Sequence, residues 1–175
     1  MGKKRKKNMI NSSNEKYEVF FEEIYELLVM PEIQELEKIP HHIMTSRLQH
    51  CINVSYFSYT IAKKMGWNYQ SAARGGLLHD LFYYDYSGMG PFAHSAHHPK
   101  VALENAKKIT TVNALEEDII LKHMWLMTWD PPRYRESFLV TFVDKFSAAY
   151  EVTQGVVYSM LNVARGKMQV LLEKM

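Results

Sequence analysis

Residues 75–88 read GGLLHDLFYYDYSG, and the reading of this stretch decides the fold. Gly75, Gly76, Leu77 and Leu78 suit the buried face of a helix, yet they lead into His79 and Asp80, whose side chains are costly to bury without partners. A helix is expected from Tyr69 to Tyr83, approaching its neighbours through Ala72, Ala73, Gly75 and Gly76 and delivering an imidazole and a carboxylate to the interior. A metal ion is one partner able to hold both groups.

Helical periodicity extends outward in both directions. Upstream, Phe20, Phe21, Ile24, Leu27 and Leu28 fall at i, i+3, i+4 spacing over 15–30, with Ser13 or Asn14 as the cap. Pro31 opens a short helix that Pro40 stops. A third helix is expected from Thr45 or Ser46 to Met65, with Gly66 as its stop. On it His50 lines up with Val54, Phe57 and Ile61, so His50 should face the core. Downstream, a loop rich in Gly, Pro and His is expected from Ser87 to Pro99, as the rim of a site, followed by helices over 99–109, 114–125, 134–150 and 156–174. No alternating strand and no internal repeat is evident. The fold class is therefore all-α, a single-domain helical bundle over 14–175 behind a solvated tail, 1–13.

Composition narrows the function classes. A chain of 175 residues buries a substantial core without disulfides, and Cys51, alone of its kind, cannot form one within the chain. A reducing, cytoplasmic setting is the expectation. No apolar run approaches the ~20 residues of a membrane helix, and no signal-peptide core follows the basic start. The net charge of +2 conceals an asymmetry: Lys3, Lys4, Arg5, Lys6 and Lys7 leave 16 basic against 19 acidic residues in the remainder, −3. Beyond that tail nothing supports nucleic-acid binding.

Titratable side chains recur at inward-facing positions along the chain. His50 comes first, then His79 and Asp80, then a histidine among His94, His97 and His98. His123 follows on a face shared with Ile119 and Ile120, and Asp144 lies among Phe142, Val143 and Phe146. This order, together with the strings RGGLLHDLFYYD, HHPKVALENA, EEDIILKHMW and VDKF, resembles the HD-domain metal-dependent hydrolases over about Ser46 to Glu151, in particular small bacterial members. The resemblance implies that His50, His79, Asp80 and Asp144 hold a first metal, and that His98 and His123 complete a second site in the two-metal subset.

What the resemblance implies is a phosphohydrolase acting on a small phosphate ester, nucleotides included, through a metal-bound hydroxide at a dinuclear site. Imidazole and carboxylate donors favour iron or manganese, with zinc or magnesium as alternatives. Two such ions can clamp an in-line phosphoryl displacement without a protein nucleophile, and Asp80 can bridge them. Lys145 and His94 are candidate catalytic or substrate-binding groups, and Arg74 is a candidate phosphate contact or the partner of a carboxylate. Asp85, Trp125 and Trp129 are candidate pocket-lining residues; His41 and His42 read as loop residues, and Glu104 and Asn105 as helix surface. Two other readings share the ligand pattern: a di-iron oxygenase, and a non-catalytic metal-stabilised binding module. The last helix, with Val156, Val157, Met160, Leu161, Val163, Met168, Leu171 and Leu172, can pack on the domain or form a homodimer.

Overall fold

Ser46 starts the helix that carries His50: its hydroxyl accepts a hydrogen bond from the Gln49 N–H at 3.1 Å, and the helix runs Arg47–Lys64 before Gly66, at φ +68°, turns the chain. The computed structural model describes residues 17–41, 45–84, 88 and 90–172, and this is the third of seven α-helices among them. In chain order they are α1 (17–28), α2 (Pro31–Gln34, continued by a 3-10 turn over Glu35–Lys38), α3 (Arg47–Lys64), α4 (Tyr69–Leu78), α5 (Pro91–Ile109), α6 (Ala114–Lys122) and α7 (Arg135–Leu172). The tail over 1–13, the caps Ser13 and Asn14, and His42, Asp85 and Ser87 lie outside the described residues, as do the side chains of Val157 and of Met160 to Leu172. No helix among the described residues is long and apolar enough to cross a membrane.

The fold is all-α, with one addition to the expected helices. Strands β1 (Pro40–His41) and β2 (Thr45–Ser46) form a short antiparallel pair, Pro40 against Ser46 and His41 against Thr45. This pair leads into α3, and the His41 ring lies 4.3 Å from that of His50.

Burial explains the layering. Phe20, Ile24 and Leu27 of α1 pack with Ile33 and Leu36 against Leu48, Cys51 and Tyr59 of α3, Leu77 and Leu78 of α4, and Leu103 of α5. Phe21 turns instead to solvent. A second cluster joins Val54 and Ala62 of α3 to Ala72, Ile119, Val140 and Val143. On α3 the buried face is centred on Cys51, Val54, Ser55, Ser58, Tyr59 and Ala62; His50 is buried with it, but Phe57 and Ile61 are half exposed.

Helix α4 lies between α3 and α6 at very short range. A Cβ at Gly76 would meet the Ser55 Cα at 2.9 Å, and one at Gly75 would meet Ile119 side-chain carbons at 2.8 Å. The Ser55 hydroxyl bonds across the same contact to the Ala73 carbonyl at 2.7 Å. Glycine is needed here because neighbouring helices occupy the space of a methyl group.

Four helix boundaries differ from expectation, and three have a chemical reason. Helix α4 ends at Leu78 rather than Tyr83, because Nδ1 of His79 donates to the Gly76 carbonyl at 2.8 Å and competes with continued helix bonding. Helix α6 ends at Lys122 rather than Trp125 for the same reason, with His123 Nδ1 bonded to the Ile120 carbonyl at 2.8 Å. Helix α5 opens at Pro91 with Gly90 as cap, so most of the loop expected from Ser87 to Pro99 is helical. Proline suits a first helical position, and Pro91 takes that role, leaving Pro99 inside the helix at the loss of one backbone bond. The two helices expected over 134–150 and 156–174 are one, α7.

Candidate metal centre

Five elements deliver six donor side chains to one buried locus. His50 comes from α3, His79 and Asp80 from the turn that ends α4, His98 from α5, His123 from the end of α6 and Asp144 from α7. All six are at most 7% exposed. Asp144 Oδ1 lies 3.1 Å from His50 Nε2 and 3.7 Å from His79 Nε2. Asp80 faces both ways: Oδ2 is 3.9 Å from His79 Nε2, while Oδ1 is 3.3 Å from His98 Nε2 and 3.5 Å from His123 Nε2.

The hydrogen bonds on the far side of each ring decide what the near side can do. His79, His98 and His123 each give Nδ1 to a backbone carbonyl, of Gly76, His94 and Ile120 respectively, at 2.8 to 2.9 Å. A carbonyl only accepts, so each Nδ1 carries a proton, and a ring in its neutral form presents an Nε2 lone pair inward. His98 and His123 thus oppose lone pairs at 2.8 Å, an arrangement that needs a proton or a metal ion between them. Nε2 of His79 and Oδ1 of Asp80 are buried with no hydrogen-bond partner among the described residues. Ligands about 2.1 Å from a shared ion stand roughly 3.0–3.4 Å apart, close to the separations here, so these side chains fit a divalent metal. The sets His50–His79–Asp80, His79–His123–Asp144 and Asp80–His98–His123 each bring three donor atoms together.

Electrostatics keeps the donors in ligating form. Burial opposes charge on Asp80 and Asp144, but His79, His123 and His98 hold Asp80 well below the usual carboxylate range. His50, His79 and Lys145 do the same for Asp144. Burial pushes His123 down to about 4, against the pull of Asp80. His50 goes the other way: burial would lower it, but Asp144 on Nε2 and Glu151 on Nδ1, both at 3.1 Å, raise it to about 10 without metal.

A cavity of about 190 Å³ opens onto the donors, lined also by His41, Arg47, Phe82, His94, Met124, Lys145 and Ala148. His94 belongs to α5, not a loop; its ring stacks on His98 at 4.4 Å, and burial and the neighbouring His98 push it down to about 4. His97 is exposed, with its ring 5.6 Å from Tyr84. Lys145 folds back on its neighbour, Nζ to Asp144 Oδ2 at 2.7 Å and to Met124 Sδ at 3.3 Å. Arg74 is engaged elsewhere. Its Nε donates to buried Glu116 at 2.8 Å and its NH2 to Thr110 and the Thr111 carbonyl, outside the cavity lining. Glu116 is committed as well, because with Asn113 it forms the capping box that starts α6. Trp125 packs edge-on to Phe138 and Phe142, and Trp129 is fully exposed; neither lines the cavity.

Three residues at the locus carry weight that their sequence context did not suggest. Glu151 supports His50 through Nδ1 and also accepts from Asn53 at 3.1 Å and Thr45 at 3.3 Å. Arg47 lies against the Phe82 ring, 3.7 Å from its centroid. Asn105, read as surface, donates to the Leu81 carbonyl at 3.0 Å and so holds the backbone that follows Asp80. Helical spacing held a signal for the first two: Arg47 is three residues before His50 and Glu151 seven after Asp144, so each shares its ligand's face.

Comparison with known proteins returns one family. The family model for the HD domain matches residues 47–149, more than half of the chain. No curated protein and no solved structure matches.

Proposed function

The chain belongs to the HD-domain family, and from that premise we propose that it is a metal-dependent phosphohydrolase acting on a small phosphate ester at a two-metal site. Asp80 carries this reading. Its two oxygens face different donor sets, so one carboxylate can serve two ions, one with His50, His79 and Asp144 and one with His98 and His123. The mixed donor set, with imidazoles that suit iron and carboxylates that suit manganese, favours these two metals.

Divalent ions held by these six residues would supply a coordinated water of pKa nearer neutrality and would offset charge on a phosphoryl group. The protein's own groups orient and exclude. Three backbone carbonyls fix the directions of His79, His98 and His123, and Glu151 fixes that of His50. Lys145 places a cation at the cavity wall, where it can swing from Asp144 to a phosphoryl oxygen. His94, held neutral at pH 7, offers a hydrogen bond rather than charge. In the net reaction the water oxygen bonds to phosphorus, the ester P–O bond breaks with its electron pair on the leaving oxygen, and that oxygen gains a proton. The cavity is smaller than the ~300–1,000 Å³ typical of drug-sized ligands, which favours a compact substrate end.

The test is elemental analysis of protein purified without chelator, with His98→Ala alongside, followed by phosphate release from a panel of monoesters, diesters and nucleotides under iron and manganese. Two ions falling to about one in the variant, with phosphate released by the wild type, is expected. Absence of release across the panel, from metal-loaded protein assayed beside an active homologous enzyme, overturns the reading. Oxygen uptake in its place assigns the ligands to oxygenase chemistry.

A further inference from the structure

Arg47 is a buried cation, 1% exposed, with no ion-pair partner among the described residues. One hydrogen bond is spent on the protein, from NH1 to the Phe82 carbonyl at 2.6 Å, while Nε has no partner among the described residues. Burying a guanidinium without an anion is costly, so such groups ordinarily have a partner. The side chain nevertheless holds one position, because the Phe82 ring supports its face and the Phe82 carbonyl takes one edge. Arg47 is thereby keyed to both ligand-bearing elements: His50 stands one turn along α3, and Phe82 two residues beyond Asp80.

The cavity that Arg47 lines is the one that opens onto Asp80, His98, His123, Asp144 and Lys145. We infer that Arg47 anchors the substrate's phosphoryl group and that the site takes a dianion, the terminal phosphate of a monoester; this rests on the two-metal reading above. Charge bookkeeping points the same way. Asp80, Asp144 and Glu151 supply three negative charges, while Arg47, Lys145 and two divalent ions supply six positive ones. One further negative charge, a proton lost from water, leaves 2+, which a phosphate monoester dianion cancels and a diester monoanion only halves. A forked guanidinium also matches two oxygens of one phosphate, the geometry in which arginine differs from lysine.

The experiment measures inorganic phosphate binding to manganese-loaded protein by calorimetry, with metal content and melting temperature recorded for each variant. Arg47→Met is expected to weaken phosphate binding at least tenfold while retaining the wild-type metal count. Arg47→Lys, which keeps the charge and covers the case in which the Met variant does not fold, should weaken it about threefold to tenfold. In parallel, wild-type kcat/KM should favour p-nitrophenyl phosphate over its bis-ester by at least tenfold, and Arg47→Lys should raise KM for the monoester more than it lowers kcat. Wild-type phosphate affinity in a metal-loaded Arg47 variant, or preference for the diester, overturns the assignment while leaving a phosphohydrolase. Wild-type protein that binds no phosphate and cleaves neither ester overturns the phosphohydrolase reading itself.

Discussion

His98 Nε2 and His123 Nε2 stand 2.8 Å apart with both Nδ1 protons already committed to the backbone carbonyls of His94 and Ile120. With neither a proton nor a metal ion between them this contact is repulsive. Removing one ring should therefore affect the metal-free and metal-loaded proteins differently. In chelator, His98→Leu is expected to melt at or above the wild-type temperature. With metal at a hundredfold its Kd, the wild type gains about 2.7 kcal/mol per ion and the variant forgoes one such increment. Scanning calorimetry with and without metal checks this, and a variant stabilised by metal as much as the wild type would refute it.

Metal affinity should rise with pH. His50 is held up to about 10 in the metal-free site, where its own carboxylate neighbours outweigh burial. Because that folded value lies above the unfolded one near 6.5, the group's contribution to apoprotein stability is full below pH ~6.5 and is lost as pH climbs through about 10. Binding of metal at Nε2 must displace that proton, so affinity should increase about tenfold per pH unit across the same window. Manganese titrations at pH 6.5, 7.5 and 8.5 in buffers of different ionisation enthalpy would reveal the released proton; a flat profile excludes it.

Glu151→Gln should reduce metal affinity by roughly 10–100-fold, because the amide keeps a hydrogen bond to His50 Nδ1 but not the charge that makes the ring a better donor. The effect on melting temperature should be smaller than that of Glu151→Ala, which also strips the partner of Asn53. Competition with a fluorescent chelator reads the affinities.

Two basic residues should separate structural from chemical roles. Arg74→Met leaves the buried Glu116 carboxylate without its cation and should lower stability by about 1–3 kcal/mol, the reduction tempered by Arg74's partial exposure. Its turnover per folded molecule should not change. Lys145→Met, a third exposed at the cavity wall, should leave the melting temperature nearly intact and cut kcat by about a hundredfold or more. Urea unfolding and phosphate release, measured on both variants, distinguish the pair.

The histidines and aspartates were readable as candidates because polar groups among apolar neighbours must be compensated, as at His79 and Asp80 after Leu77 and Leu78, and because, that adjacent pair apart, each falls in a separate helical segment. Helix ends near these residues were less readable for a related reason. An imidazole that takes a backbone carbonyl cannot be told, from sequence, from one that extends into a pocket, and that bond is what ends α4 and α6. The role of Glu151 depends on α7 packing against α3, which neither segment reveals alone: Asn53 and Glu151 are 98 residues apart in the chain. Arg74 was ambiguous because its partner, Glu116, is 42 residues away on another helix.

The contact between α4 and its neighbours has a meaning beyond packing. Gly75 and Gly76 stand one helical turn ahead of His79 and Asp80, while Ser55 and Ile119, the groups they touch, belong to the helices that carry His50 and His123. Interhelical distance at these two glycines is thus a calliper for the ligand cage, and a methyl group inserted there acts as a shim. At Gly76 the opposing atoms are backbone and cannot rotate aside. A Gly76→Ala protein that still folds would hold its donors farther apart, and its preference should drift from the smaller zinc ion toward the larger manganese.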